Sequence, residues 1–194
     1  MLGRFSQRGD TIIEVLLAVG IFSLVAIGGM AIMNQGTNTA QRAVEITLVR
    51  QQIDAQAEAL RAIHQAASRG KATQWDAITA NSTNLYASQE CPDSPPLNTF
   101  ALDPYTATKL SNSSWYTSSA PVSAPPYAQF IEDETDPTKS QAAGIWIEMT
   151  KKDGSPTTPA LYSFKINACW PGAGTNAPMR LSTIVNLYDI GFEG

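Results

Sequence analysis

The sequence predicts an α+β protein in which a long N-terminal helix, membrane-spanning in its first half and amphipathic in its second, packs on an antiparallel β-sheet. Three observations support this: an apolar run near the N-terminus, a helix-spaced apolar stripe after it, and four β-rich runs in the last third. All 12 prolines lie at or after Pro92, so proline interrupts helices only in the C-terminal part of the chain. We therefore expect helix in the first 70 residues and none after them.

The apolar run extends from Thr11 to Met33 and is long enough to cross a hydrocarbon layer of about 30 Å. Residues 1–9 carry Arg4 and Arg8 and no acidic residue, which favours a cytoplasmic location for this short segment. We therefore predict a single transmembrane segment over residues 10–36, with the C-terminus outside the cytoplasmic membrane. A secretory signal peptide has a shorter apolar core, and a plain signal anchor remains the stronger alternative.

Glu14 is the one ionisable residue within this apolar run. A carboxylate inside a lipid-embedded helix costs roughly 2.5 kcal/mol or more, so such residues are rare and usually functional. Neither a signal peptide nor a plain anchor requires it. Glu14 is therefore the first candidate functional residue.

The residues around Glu14 resemble the type IV prepilin signature. Arg8 and Gly9 end a short basic leader, Asp10 follows, and Thr-Ile-Ile-Glu-Val-Leu-Leu-Ala begins the apolar run, so that Glu14 is the fifth residue after Gly9. The resemblance implies that a prepilin peptidase cuts between Gly9 and Asp10 and methylates the new amino terminus. It also implies that Glu14 pairs with this terminus on a neighbouring subunit during assembly. Asp10 departs from the family, which usually has Phe or another apolar residue there, and this leaves N-methylation open.

The second half of the predicted helix, residues 37–70, carries an apolar stripe at spacings of three and four residues. The stripe consists of Ile46, Val49, Ile53, Ala57, Leu60, Ile63 and Ala67. Charged residues between them are expected to form a solvated face: Arg42, Glu45, Arg50, Asp54, Glu58 and Arg61. Gly70 is a suitable C-terminal stop. We expect the stripe to pack under a sheet, and a coiled coil is the alternative.

Residues 71–194 are predicted to form an extracytoplasmic, β-rich globular head. Its first part, residues 71–126, reads as a long ordered connection with short elements, because its many aromatic residues would be poorly placed in water. Residues 110–126 are the most loop-like stretch and a candidate variable surface.

Four runs in the last third are rich in β-branched and aromatic residues and are bounded by turn residues: 128–133, 144–150, 160–168 and 180–190. Alternation places one set of side chains on an apolar face: Ile145, Ile147, Met149, Tyr162, Phe164 and Ile166. Residues 151–159 read as a hairpin loop. We therefore predict an antiparallel sheet whose apolar face covers the helical stripe.

Cys91 and Cys169 are the only cysteines, and both fall in the predicted extracytoplasmic head. In an oxidising compartment, two thiols most simply form one disulfide, which in the chain-entropy picture stabilises the fold by about 4 kcal/mol. A redox-active pair usually has the C-x-x-C spacing, which is absent here. A structural disulfide is the prediction.

Enzymatic and metal-binding functions find no support in the residue pattern. His64 is the sole histidine and is expected to be a half-buried helix residue. The acidic residues from Glu132 to Asp136 do not match an EF-hand loop and are expected to be a solvated edge. We therefore predict no catalytic residue, no metal and no cofactor.

Direct nucleic-acid binding is not expected. Residues 71–194 carry seven Lys and Arg against 12 Asp and Glu, a net charge of −5, and the whole chain has a net charge of −4. Phosphate attraction requires the opposite sign.

The resemblance implies a structural subunit of a type IV pilus or a related secretion pseudopilus. Its partners would be the prepilin peptidase, the inner membrane before assembly and other pilin subunits afterwards, when the protein lies at the cell surface. The loop-rich middle segment favours a minor rather than a major subunit, with an adhesive role. The alternative is a membrane-anchored extracytoplasmic binding or adhesion module that never polymerises and keeps its leader.

Overall fold

The computed structural model describes residues 11–80, 91–92, 96–110, 126–133, 135, 140–155, 158–174 and 177–189. The fold is α+β, with one long N-terminal helix and antiparallel sheets, as predicted. Its elements are α1 (Thr11–Ser68), α2 (Thr73–Thr79), β1 (Leu102–Asp103), β2 (Thr108–Lys109), β3 (Gln129–Ile131), β4 (Gln141–Ala143), β5 (Ile145–Lys152), β6 (Leu161–Pro171) and β7 (Pro178–Tyr188). The chain divides into two compact units, residues 1–41 and residues 42–194.

Helix α1 is 58 residues long and runs unbroken through the polar stretch at residues 34–39. Two hydroxyl groups in this stretch bond back to the helix: Thr37 Oγ1 donates to Asn34 O and Thr39 Oγ1 to Gln35 O, both at 2.9 Å. These bonds satisfy polar side chains without disturbing the helical backbone. The stretch of low helix preference is therefore helical.

The C-terminus of α1 is closed by Gly70, as predicted. Gly70 has a φ of +86°, a left-handed conformation that glycine adopts at little cost. Its N–H donates to Ala67 O at 2.9 Å, and the N–H of Lys71 donates to Ala66 O at 3.0 Å. These two bonds form a Schellman motif, which satisfies carbonyls at the helix end.

Helix α2 contradicts the expectation that no helix follows residue 70. Its seven residues contain neither Gly nor Pro, so no helix-breaking residue lies within it. The first proline of the chain is Pro92. Trp75 and Ile78 are buried, and the Trp75 ring contacts the rings of His64 at 5.0 Å and Tyr162 at 5.2 Å, both edge-on. Burial of these two side chains stabilises a helix too short to persist alone.

The main sheet has the order β5-β6-β7 and is antiparallel throughout. Ile145 lies opposite Ala168 in the β5–β6 pair, and Leu161 lies opposite Tyr188 in the β6–β7 pair. Strands β5 and β6 are consecutive and antiparallel, so the predicted hairpin is confirmed.

Two smaller antiparallel pairs, β1–β2 and β3–β4, accompany the main sheet. The predicted run at 128–133 forms β3, which pairs with β4, a strand the sequence reading missed. The three-residue length of β4 and its Gln-Ala-Ala sequence give no β signal by themselves.

The core lies between α1 and one face of the main sheet. Six stripe residues of α1 and the apolar face of the sheet belong to one buried cluster: Val49, Ile53, Ala57, Leu60, Ile63, Ala67, Ile145, Ile147, Met149, Phe164 and Ile166. The stripe is thus covered within the chain, as the sheet-docking prediction requires. Ile46, the seventh predicted member, is instead 37% exposed.

The opposite face of the sheet is buried at one end, which the alternation pattern did not predict. Trp146 and Glu148 are fully buried there. Glu148 Oε1 accepts hydrogen bonds from Trp146 Nε1 at 2.9 Å and from Asn167 Nδ2 at 3.0 Å. Arg180 Nη2 donates to Asn167 Oδ1 at 2.9 Å. These bonds offset the cost of burying a carboxylate.

Candidate functional site

The unit formed by residues 1–41 presents, over its described part, a helix with exposed apolar side chains. Their exposed fractions lie between 55% and 76%, and the residues are Ile12, Ile13, Val15, Leu16, Leu17, Val19, Ile21, Phe22, Leu24, Val25, Ile27, Met30, Ile32 and Met33. The helix is long and apolar enough to cross a membrane. An apolar surface this large marks a membrane or protein interaction site. The candidate functional site is therefore this segment of α1.

Glu14 lies in the first turn of α1 as described and is exposed. Helical spacing places Leu17, Ala18 and Ile21 on the same face of the helix as Glu14, so this face is otherwise apolar. Gly9 and Asp10, the predicted cleavage residues, lie outside the described residues.

The head domain begins with a polar clamp between α1 and the segment that joins β6 to β7. Glu45 is 5% exposed, and its Oε2 accepts from Trp170 Nε1 at 3.2 Å and from the Ala173 N–H at 3.4 Å. Arg42 donates from Nε to Ala173 O at 2.7 Å and from Nη2 to Gly174 O at 3.1 Å. This clamp fixes the start of the packed helix on the head.

The prediction of a solvated Glu45 is wrong, and Arg42, which was expected on the same solvated face, is half-buried. Burial of the carboxylate is tolerated because two N–H groups donate to it. Glu45 stands four residues before Val49 and Ile46 stands three, so helical spacing alone does not decide which of the two is buried. Arg50, Asp54, Glu58 and Arg61 are exposed as predicted.

Two glutamines of α1 close the edges of the small sheets. Gln56 is 1% exposed, and its amide both donates to Leu102 O at 2.6 Å and accepts from Leu102 N at 2.9 Å. Gln52 Oε1 accepts from Phe130 N at 3.1 Å. The sequence reading missed both residues, although polar residues four apart beside an apolar stripe are a signal for such contacts.

The predicted disulfide between Cys91 and Cys169 is present. The two Cα atoms are 5.9 Å apart, and the bridge joins residues separated by 78 positions. Cys169 is 1% exposed and lies in β6. The bond ties the segment before β1 to the middle strand of the main sheet.

His64 has the predicted structural role. It is half-buried, its Nε2 lies 2.9 Å from Tyr188 O, and its ring packs on Trp75. The His64 side chain therefore joins α1 to the end of β7.

The acidic segment has only part of its residues in the described structure. Asp133 Oδ1 accepts from Thr135 N at 3.0 Å and from Thr135 Oγ1 at 2.6 Å, whereas Glu134 and Asp136 lie outside the described residues. Within the described ranges, no group of three or more His, Cys, Asp or Glu residues could hold a metal ion. Most of the candidate variable surface, residues 111–125, is also outside the described part.

No protein-family model matches the chain, and no curated protein or solved structure matches it either. A functional conclusion therefore depends on the residues and the geometry of the chain itself. The exposed apolar segment of α1, its lone carboxylate and the disulfide-linked head are the features that such a conclusion has to explain.

Proposed function

We propose that this protein is a subunit of a type IV pilus or a related secretion pseudopilus, matured by a prepilin peptidase and assembled through its N-terminal helix. One observation carries the proposal: Glu14 is the only charged residue in the apolar segment of α1 at residues 11–33, whose large side chains are exposed and which directly follows Arg8, Gly9 and Asp10. The order of these residues resembles the prepilin signature.

Two environments would cover the exposed apolar side chains in turn. Before assembly, lipid of the cytoplasmic membrane surrounds the helix, and the head lies outside. After assembly, the helices of neighbouring subunits replace the lipid. The disulfide between Cys91 and Cys169 supports the extracytoplasmic location of the head, since such bonds persist in oxidising compartments.

Glu14 would select the axial position of each subunit. Cleavage after Gly9 leaves a positively charged amine on Asp10, and in a filament core this amine would neutralise the Glu14 carboxylate of the adjacent subunit. A buried charge left without its partner costs several kcal/mol, so misaligned subunits would be rejected.

The head would act by presenting a surface rather than by catalysis. Its described polar side chains, such as Glu45, Gln56 and Glu148, are engaged in contacts that hold the fold together. We propose a minor rather than a major subunit with an adhesive role, because the segment at 71–126 is rich in loop-forming residues and aromatics. Its test is filament composition: sparse or polar labelling supports a minor subunit, and a filament made chiefly of this chain contradicts it.

The function is tested by Glu14→Ala in the native strain, with Ser23→Ala as the matched control on the same helix. The expected Glu14→Ala protein is cleaved and membrane-bound but depleted from sheared surface filaments, whereas the control enters them normally. Entry of Glu14→Ala at the wild-type level would refute the pairing. An uncut leader together with no filament-associated protein would favour the anchored binding module.

A further inference from the structure

Strand β7 forms one edge of the main sheet. A hydrogen bond just after its C-terminal end shows which of its residues direct their backbone groups towards β6. Asp189 N donates to Ala160 O at 2.9 Å, in continuation of the β6–β7 register. Backbone groups of an antiparallel strand alternate between its two sides. The odd-numbered residues of β7 therefore face β6, and Ser182, Ile184 and Asn186 direct their N–H and C=O groups outward.

Near the C-terminal end of β7, a side chain of α1 contacts this outer edge. Tyr188 O lies 2.9 Å from His64 Nε2, and Arg180 is held by Asn167 through its side chain. Between them Ser182, Ile184 and Asn186 are exposed, Ile184 to 62%. Among the described residues, nothing bonds to the outward backbone groups of these three.

On three other strands of the head, an outward backbone position is already occupied. Gln56 occupies the outward groups of Leu102 on β1, and Gln52 takes the Phe130 N–H on β3. On β5, the backbone of Phe100 exchanges two hydrogen bonds with Ile147, at 3.2 Å and 2.7 Å. Each of these three shorter strands thus has a capped outward position, whereas among the described residues nothing caps Ser182, Ile184 or Asn186 on the longer strand β7.

The open edge also lacks the usual protection against pairing. Exposed edge strands are normally blunted by charged residues or proline. From Leu181 to Tyr188 the sequence contains neither, and it is rich in β-formers. An edge of this kind pairs with another strand when one is offered.

We propose that the outer edge of β7 from Ser182 to Asn186 binds an extended, uncharged strand of a different protein by β-sheet augmentation. The outward N–H and C=O groups provide the backbone ladder. Because no charged side chain lies between Leu181 and Tyr188, a charge on the incoming strand would find no partner at this edge. The residue opposite Ile184 is therefore apolar or β-branched.

A second copy of this chain does not fit the edge when the protein is anchored in a membrane, as the proposed function requires. On its β5 edge, the outward backbone groups of Ile147 are already paired with Phe100. Two β7 strands would pair antiparallel about a two-fold axis normal to the sheet. Since the part of α1 after Arg42 lies on the sheet face, this axis would make the packed parts of the two helices run in opposite directions, whereas the proposed function aligns the helices of all subunits in one direction.

Amide hydrogen exchange resolved to single residues tests the proposal on the full-length protein. Exchange is compared between protein purified in nonionic detergent micelles and protein in native membranes or sheared filaments. We expect the Ser182, Ile184 and Asn186 amides to exchange rapidly in micelles and about tenfold or more slowly in the native assembly. Thr183 and Val185, which face β6, are protected in both. Equal rates for the outward amides in both samples would overturn the proposal.

Two variants separate strand pairing from general burial. Ser182→Pro removes one outward N–H and no bond to β6, so it should abolish native protection at Ile184 and Asn186. Ser182→Ala keeps the N–H and should retain it. Protection of Thr183 in micelles verifies that each variant is folded, and full protection at Ile184 in a folded Ser182→Pro protein would refute the pairing.

The same samples distinguish a different protein from a second copy of this chain as the partner. They also test the strand-pairing proposal separately from the proposed pilin function. Protection that appears in micelles as protein concentration rises would show self-pairing and contradict a different protein as the occupant. The mature amino terminus is read in parallel. Native protection in a chain that still begins at Met1 would support the strand dock and refute the pilin function, and a chain beginning at Asp10 without protection would do the reverse.

Discussion

The indole Nε1 of Trp170 donates a hydrogen bond to Glu45 Oε2 at 3.2 Å, and both side chains are buried. This bond connects α1 to β6 across a sequence separation of 125 residues. Apolar contacts alone tolerate sliding of a helix on a sheet, whereas a buried carboxylate finds its donors in one position only. The Glu45 contact therefore fixes where α1 lies on the head.

Replacement of Glu45 by Ala should destabilise the head by about 1–3 kcal/mol, because it leaves the Trp170 and Ala173 N–H groups without an acceptor. Urea unfolding of the full-length protein in nonionic micelles, followed by tryptophan fluorescence, measures the change. Glu58→Ala on the exposed face of the same helix is the control and should shift stability by less than about 0.5 kcal/mol. Equal effects of the two variants would contradict the assigned role of Glu45.

Replacement of Gln56 by Leu should also destabilise the head by about 1–3 kcal/mol. The Leu side chain fits the apolar surroundings but leaves both backbone groups of Leu102 unsatisfied. Gln51→Leu on the exposed side of α1 is the matched control. An unchanged urea midpoint for Gln56→Leu would show that this edge of β1 is satisfied in another way.

Loss of the disulfide, in a Cys91→Ser and Cys169→Ser double variant, should lower the free energy of unfolding by about 2–5 kcal/mol. The bridge closes a loop of 78 residues, so its absence leaves the unfolded chain with more conformational freedom. Intact mass spectrometry before and after alkylation should detect no free thiol in native protein. Two alkylated cysteines in that material would refute the bridge.

Gly70→Ala should destabilise the end of α1 by about 1–2 kcal/mol, since an L side chain is strained at a φ of +86°. Apart from neighbouring backbone of the same segment, no described atom lies within 4 Å of the position that the new Cβ would take, so the effect is conformational rather than a clash with another element. Gly70→Asn is the control, because Asn tolerates the left-handed region and should recover part of the loss. If Ala and Asn were equally well tolerated, the Schellman closure would not contribute to stability.

The main features of the fold follow from periodicity in the sequence. Spacings of three and four residues predict the buried stripe from Val49 to Ala67, and alternation predicts the apolar face formed by Ile147, Phe164 and their neighbours. Gly70 predicts the end of the helix. These signals are local, so they are readable without knowledge of the tertiary structure.

The remaining features depend on contacts between distant residues. Helix α2 is stabilised by the packing of Trp75 against the rings of His64 and Tyr162, and β4 is stabilised by its pairing with β3. Glu148 is buried because Trp146 and Asn167 donate to it, which alternation within one strand does not reveal. Periodicity predicts which side chains lie on the same face of a helix or strand. Whether other elements cover that face depends on the whole fold.

The most direct test of the central claim is the amino terminus of this protein in material sheared from the cell surface, read by sequencing and intact mass. The account predicts a chain that begins at Asp10, with the leader through Gly9 removed. Surface material that begins at Met1 would contradict it, because the amine proposed to neutralise Glu14 in the assembled filament would never be formed.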